Sequence, residues 1–233
     1  DEIKRLIRRG ADANEADISI TEVGGTVGDI EGQPFLEAIR QMRNEEGRDN
    51  VLYVHVTFLP YIGATHELKT KPTQHSVNEL RRIGIQPDVI LCRSDFPVPE
   101  SIRDKISLFC DVDKEAVVSL ETSETIYEVP LVLEDAGIGD FICNRLGLEP
   151  GEPDLGSWYL LVNRLREQRE QIHIAIVGEH VQLEDAYYSV REALVHAALV
   201  HEAEPAFHWI DSRQLADGDC SQLRNVQGIV IPG

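Results

Sequence analysis

The chain has 233 residues, an apolar share of 42% and a formal net charge of −19, which together describe an ordinary globular protein with room for one large domain or two average ones. So negative a chain has no general affinity for nucleic acid or anionic membrane, and no apolar run approaches the ~20 residues that span a bilayer. The four cysteines, Cys92, Cys110, Cys143 and Cys220, form no C-x-x-C pair, so zinc and a disulfide framework are poorly supported and reduced cytoplasmic thiols are expected.

No signal-peptide pattern opens the sequence; Asp1–Arg9 reads as a charged helix. Asp17–Glu22 then reads as a strand, and a glycine-rich acidic turn follows from Glu22 to Glu31, with Gly24, Gly25, Gly28 and Asp29 between them. Carboxylates at a strand end can hold Mg²⁺ against a phosphate. The same pattern also fits acids that merely cap and complement the next helix. That helix is Pro34–Arg43, with Gly47 as its stop.

Val51–Phe58 is β-branched and aromatic, hence a strand. After it comes His66-Glu-Leu-Lys-Thr-Lys-Pro-Thr-Gln-His-Ser76. Pro72 biases Lys71 toward an extended conformation, so Lys69 and Lys71 are expected to project to one side while Thr70 points away. Thr73 is the expected cap of a helix running to Ile83 and ended by Gly84. Only five of the 22 basic residues are lysine, and two of those five stand here. Two ammonium groups beside the free N–H groups of a helix start, with Gln74 among them, make a cradle for a polyphosphate. The bland alternative is a solvated turn, and Lys105, one helix further on, would by itself pass as a surface lysine.

Asp88–Arg93 is a strand, Ser101–Phe109 a helix and Ala116–Leu120 a strand. Alternation of this kind predicts an α/β protein with a doubly wound, mostly parallel sheet. The acidic, Pro- and Gly-containing Glu149–Asp154 marks a linker. Beyond it lie a helix at Trp158–Arg169, a strand Ile172–Gly178, a long helix Ala186–Leu199 and strands Ala206–Ile210 and Gly228–Ile231. The expected organisation is a first domain over 1–147, a connecting segment over 148–170 and the start of a second α/β domain over 171–233. No G-x-x-x-x-G-K-[ST] phosphate loop and no G-x-S-x-G elbow occurs. Cys220 sits in the acidic turn Asp217–Ser221, which is unsuited to lowering a thiol pKa.

The runs Glu22–Glu31, Lys69–Ser76, Gly84–Asp95, Ile126–Leu131 and Leu183–Leu194 closely resemble the CTP synthase family, and the resemblance covers essentially the whole chain. It implies a P-loop-like synthetase domain followed by a class I glutamine amidotransferase domain. It also implies a cytoplasmic, homotetrameric ligase that makes CTP from UTP with ATP, Mg²⁺ and ammonia from glutamine. By position, Glu22 would bind Mg²⁺. Asp29, Ile30 and Glu31 would contact the pyrimidine nucleotide, UTP or the inhibitor CTP. Lys69, Thr70, Lys71, Pro72, Thr73, Gln74 and Lys105 would hold its triphosphate, at a site formed between subunits. Glu121, Thr122 and Ser123 stand where the family contacts ATP, but differ from its usual Lys-Asp-Val. Glu179 and His180 replace its usual Lys-Tyr. The phosphate loop would precede Asp1 and the glutaminase Cys, His and Glu would follow Gly233, so the chain reads as an internal fragment, inactive alone. A related amidoligase of cofactor biosynthesis, or a non-catalytic nucleotide-binding or filament module, are the competing readings.

Overall fold

A computed structural model describes residues 1–216 and 218–232, with the side chain of Glu184 excepted. Asp217 of the Cys220 turn, the terminal Gly233 and the Glu184 side chain of the Leu183–Leu194 run lie outside the described residues. The chain divides into two units, Asp1–Leu155 and Gly156–Gly233.

In the first unit, α1 (Glu2–Ala13) and α2 (Gln33–Glu46) are joined through a buried cation: Lys4 donates to Gln41 at 2.9 Å and to Glu45. The expected strand at Asp17–Glu22 does not form; residues 15–29 carry no helix or strand, and Ile18 and Ile20 are exposed. The sequence there has strand composition, but no neighbouring strand supplies ladder partners among the described residues, and a lone strand is not stable.

The sheet begins with β1 (Val54–Phe58), which pairs in parallel with β4 (Val89–Ser94), which pairs in parallel with β5 (Val117–Glu121). A two-stranded antiparallel hairpin, β2 (Tyr61–Ile62) with β3 (Glu67–Leu68), follows β1. Helix α3 (Lys71–Ile83) links the hairpin to β4, and α4 (Glu100–Cys110) links β4 to β5. The unit is closed by α5 (Val129–Asp135) and α6 (Ile138–Arg145). β4 sits between two partners and reads as a near-continuous apolar run, as a strand covered on both faces must; Val89, Ile90 and Cys92 are wholly buried. With Leu59, Val77, Ile106, Val117 and Val118 they form the core. Edge strand β1 alternates: Val54, Val56 and Phe58 are exposed, while His55 and Thr57 reach α3.

The second unit starts with α7 (Gly156–Arg166), followed by β6 (Glu170–Gly178), α8 (Tyr188–Val200), β7 (Ala203–Asp211) and β8 (Gly228–Val230). β6 is central and parallel to both neighbours, in the order β7-β6-β8. The long helix begins at Tyr188, not Ala186, because residues 184–187 wind as a tighter 3-10 turn. A Cβ on Gly178 would stand 2.3 Å from the Tyr187 hydroxyl, so that phenol can close over the end of β6 only where the strand carries glycine. No described helix is long and apolar enough to cross a membrane.

Candidate nucleotide site

The carboxyl ends of the first unit's three parallel strands lie side by side: Phe58 of β1 pairs with Arg93, and Ser94 of β4 with Glu121 of β5. This is the edge where open parallel sheets bind ligands. Each segment leaving it is tied to its neighbour. Leu59 N donates to Arg93 O at 2.8 Å, and Thr122 N donates to Ser94 O at 2.8 Å. Thr122 Oγ1 donates to Asp95 Oδ1 at 2.7 Å, while Ser123 Oγ reaches only the carbonyl of Glu121 at 3.4 Å. Tyr61, just past β1, stacks on Phe96, just past β4, with ring centroids 4.1 Å apart.

The hairpin returns the chain to this edge, where Lys69 N donates to Pro60 O at 2.9 Å. Helix α3 then starts at once. Lys71 is already helical and Pro72 occupies the first turn, where its missing N–H is tolerated. The extended lysine pair expected from Pro72 is therefore corrected: only Lys69 precedes the helix. Thr73 is not the cap either. Thr70 holds that position, without a side-chain cap bond, and Thr73 lies inside the helix, wholly buried, with its hydroxyl 2.9 Å from that of Thr57. Burial accompanies this: Thr73 faces β1 through Thr57, and Thr70 is only 3% exposed. Gln74 Nε2 donates to Thr70 Oγ1 at 3.0 Å.

Thr70 and Thr73 turn inward while Lys71 and Pro72 stay exposed. Lys69 pairs with Glu67. The Lys69 ammonium holds the Glu67 carboxyl below its usual range, with smaller contributions from Thr65 and from Lys105. Lys71 and Lys105 have no hydrogen-bond or ion-pair partner among the described residues.

The acidic turn is built separately. Val23 and Val27 pack against Leu36, Leu80 and Ile85, which anchors the loop on α2 and α3. Gly25 and Gly28 take φ of +86° and +109°, conformations that only glycine adopts freely. The Asp29 carboxylate accepts from Thr26 N at 3.0 Å, so it closes the turn; Asp29 precedes the 3-10 turn Ile30–Gly32 but makes no side-chain cap bond to it. Glu22, Asp29, Ile30 and Glu31 are all exposed. No described hydrogen bond or ion pair joins Glu22, Asp29 or Glu31 to Lys69, Lys71 or Lys105. Within one chain, then, the lysine segment follows the hairpin bonded back to Pro60 beyond β1, and no described bond links it to the acidic turn.

Sequence reasoning passed over Glu67, Asp95 and the Tyr61–Phe96 stack. Asp95 and Phe96 directly follow a strand, which was a usable signal. Glu67 and Tyr61 are placed by a two-residue hairpin too short to leave a pattern.

Residues 1–148 match the family model described as CTP synthase N-terminus. Among curated relatives, a CTP synthase of Dehalococcoides mccartyi is 60% identical over 233 residues, which is all of this chain and 43% of that protein. A CTP synthase of Thermomicrobium roseum is 58% identical over 232 residues, all of this chain and 42% of its own. One of Roseiflexus castenholzii is 59% identical over 233 residues, with the same 42%. The chain therefore spans less than half the length of these relatives. With a family model matched along the whole parallel-sheet unit, the chain belongs to the CTP synthase family.

Proposed function

We propose that this chain is the part of a glutamine-dependent CTP synthase that holds the pyrimidine nucleotide triphosphate, UTP as substrate or CTP as product. The observation that supports the reading is the lysine segment: Lys69 follows the hairpin bonded back to Pro60 beyond β1, and Lys71 opens α3 with no hydrogen-bond or ion-pair partner among the described residues, as Lys105 on α4 also has none. Lys69, Lys71 and Lys105 neutralise the phosphates. Gln74, with Thr70, Pro72 and Thr73, fixes the first turn of α3, whose free N–H groups add to the positive field. Asp29, Ile30 and Glu31 meet the nucleotide from the acidic turn. Because that turn is not joined to the lysines within one chain, the reading places it on a second copy, in a homotetramer.

ATP would lie toward Glu121, Thr122 and Ser123, where Thr122 is already fixed on Asp95. Mg²⁺ suits Glu22, an exposed carboxylate at a glycine turn whose Oε1 lies 3.5 Å from where a Cβ on Gly24 would stand. Magnesium favours one or two carboxylates, with phosphate oxygens and water completing the shell, and would neutralise phosphate charge as the phosphoryl group moves. The reaction class is phosphorylation of the uracil 4-oxygen by ATP, then displacement of phosphate by ammonia. The chain's share is positioning and charge compensation. The second unit, a parallel sheet with α8 between β6 and β7, is read as the start of the glutamine amidotransferase domain, and the protein as cytoplasmic.

In the full-length protein, Lys71→Ala is expected to weaken UTP and CTP together. One charge-assisted contact is worth about 1.5–3 kcal/mol, or roughly 10- to 150-fold in affinity. Nucleotide titration by calorimetry measures it, and unchanged affinity for both ligands refutes the cradle.

A further inference from the structure

Two histidines of the second unit face each other across neighbouring strands. His173 of β6 pairs in register with Ala206 of β7, and His208 of β7 with Ala175 of β6, so both rings stand on one face of the sheet, one diagonal step apart. His173 Nδ1 and His208 Nε2 are 2.9 Å apart, with ring centroids 5.1 Å apart and planes inclined at 47°. His208 is exposed and His173 half-buried, so solvent reaches the pair. The backbone beneath is fixed. His173 N donates to Gln227 Oε1 at 2.8 Å, and Gln227 N donates to His173 O at 2.8 Å.

We propose that His173 and His208 form a chelating site for a divalent transition ion of the Cu²⁺ or Ni²⁺ class. Facing imidazole nitrogens this close cannot both carry a proton, so at least one already presents a lone pair. On binding, the shared proton passes through solvent to the far nitrogen of its own ring, and the two rings rotate to turn both facing lone pairs toward one ion. The spacing selects the ion. With metal–nitrogen bonds of about 2.05 Å, two nitrogens 2.9 Å apart subtend roughly 90° at the metal. That is the cis angle of square-planar and octahedral centres, which Cu²⁺ and Ni²⁺ favour, and it is tighter than the tetrahedral angle of Zn²⁺. No group of three or more His, Cys, Asp or Glu gathers for a metal among the described residues, so water completes the shell and the ion remains exchangeable.

Calorimetric titration of this chain with Cu²⁺, Ni²⁺ and Zn²⁺, each alone in a non-coordinating buffer, tests the site. Cu²⁺ is expected to bind most tightly, with one equivalent ahead of any weaker sites. Its electron paramagnetic resonance spectrum should show two equatorial nitrogens. His173→Gln and His208→Gln should each weaken that equivalent at least tenfold, while His201→Gln leaves it unchanged. A hydrogen-bonded pair only, with Cu²⁺ binding unaffected by either substitution, overturns the proposal. So does a single coordinating nitrogen in the unsubstituted chain, a readout that needs no variant to fold. Zn²⁺ binding more tightly than Cu²⁺ overturns the assignment of the ion class.

Discussion

Replacing Asp88 by asparagine changes one atom at a junction of four elements, and the loss can be worked from the geometry. Asp88 precedes β4 and its side chain is only 12% exposed. Its Oδ1 accepts from Arg43 of α2 at 2.9 Å and from Arg145 of α6 at 3.1 Å. Its Oδ2 accepts from Tyr53 N, ahead of β1, at 2.8 Å. An asparagine has one acceptor oxygen. It can face the two guanidinium groups or the Tyr53 N–H, and its amide NH₂ then opposes the donors it does not face. Breaking a fully buried pair costs about 3–5 kcal/mol, because the surviving charge is left without compensation. Here Arg43 and Arg145 retain 16% and 25% side-chain exposure, so water recovers part of that loss and about 2–3 kcal/mol remains. Urea unfolding followed by circular dichroism should show a lower midpoint with an unchanged slope. At a slope of roughly 1–3 kcal/mol/M, the midpoint falls by about 0.7–3 M. A loss under about 0.5 kcal/mol would refute the argument, since the carboxylate would then be replaceable by any polar group of its shape. Because Asp88 lies at the amino end of the sheet, away from the lysine edge, nucleotide affinity of the folded fraction should not change.

Other expectations are simpler. Ile90→Ala, in the middle of β4 and wholly buried, should cost about 2–5 kcal/mol in the same unfolding experiment. His55 is held below its usual pKa by burial. The unfolded chain therefore takes up its proton first, and stability falls as pH drops below about 6.5. A melting-temperature series from pH 7.5 to 5 should show that decline, and His55→Gln should flatten it. Burial pushes the Cys92 thiol up to about 12 and also raises that of Cys110, while Cys220 is exposed. A thiol reagent followed by peptide mass mapping should label Cys220 first and leave Cys92 and Cys110 unmodified until the chain unfolds.

The parts of the fold that could be read from sequence are those specified locally. β4 is legible because Val89–Cys92 is a short, β-branched apolar run between polar residues, the pattern of a strand covered on both faces. Helix α3 is legible because Pro72 and Gly84 punctuate its two ends. Its first residue was not, because inward-facing Thr70 and Thr73 set it, and threonines at a helix start look equally like caps. The stretch at Asp17–Glu22 is the converse case. Its composition is that of a strand, but a strand is a relation between two segments, and composition records only one of them.

The reading of the lysine segment rests on composition, not on local structure. The chain carries 41 acids against 22 bases, and only five of those bases are lysine. Lys4 is buried against Glu45, and Lys114 pairs with both Glu100 and Asp104. Lys71 and Lys105 find no such partner among the described residues, and Lys69 has only Glu67, a neighbour on its own hairpin. Lys71 and Lys105 thus remain two ammonium groups open to an outside anion in a chain of net charge −19. The fold supports that arrangement with a parallel-sheet edge, a helix start and two inward-turned threonines. On the proposed function, an anion from outside the chain is the lysines' partner, and a polyphosphate is an anion whose length and charge three lysines can meet.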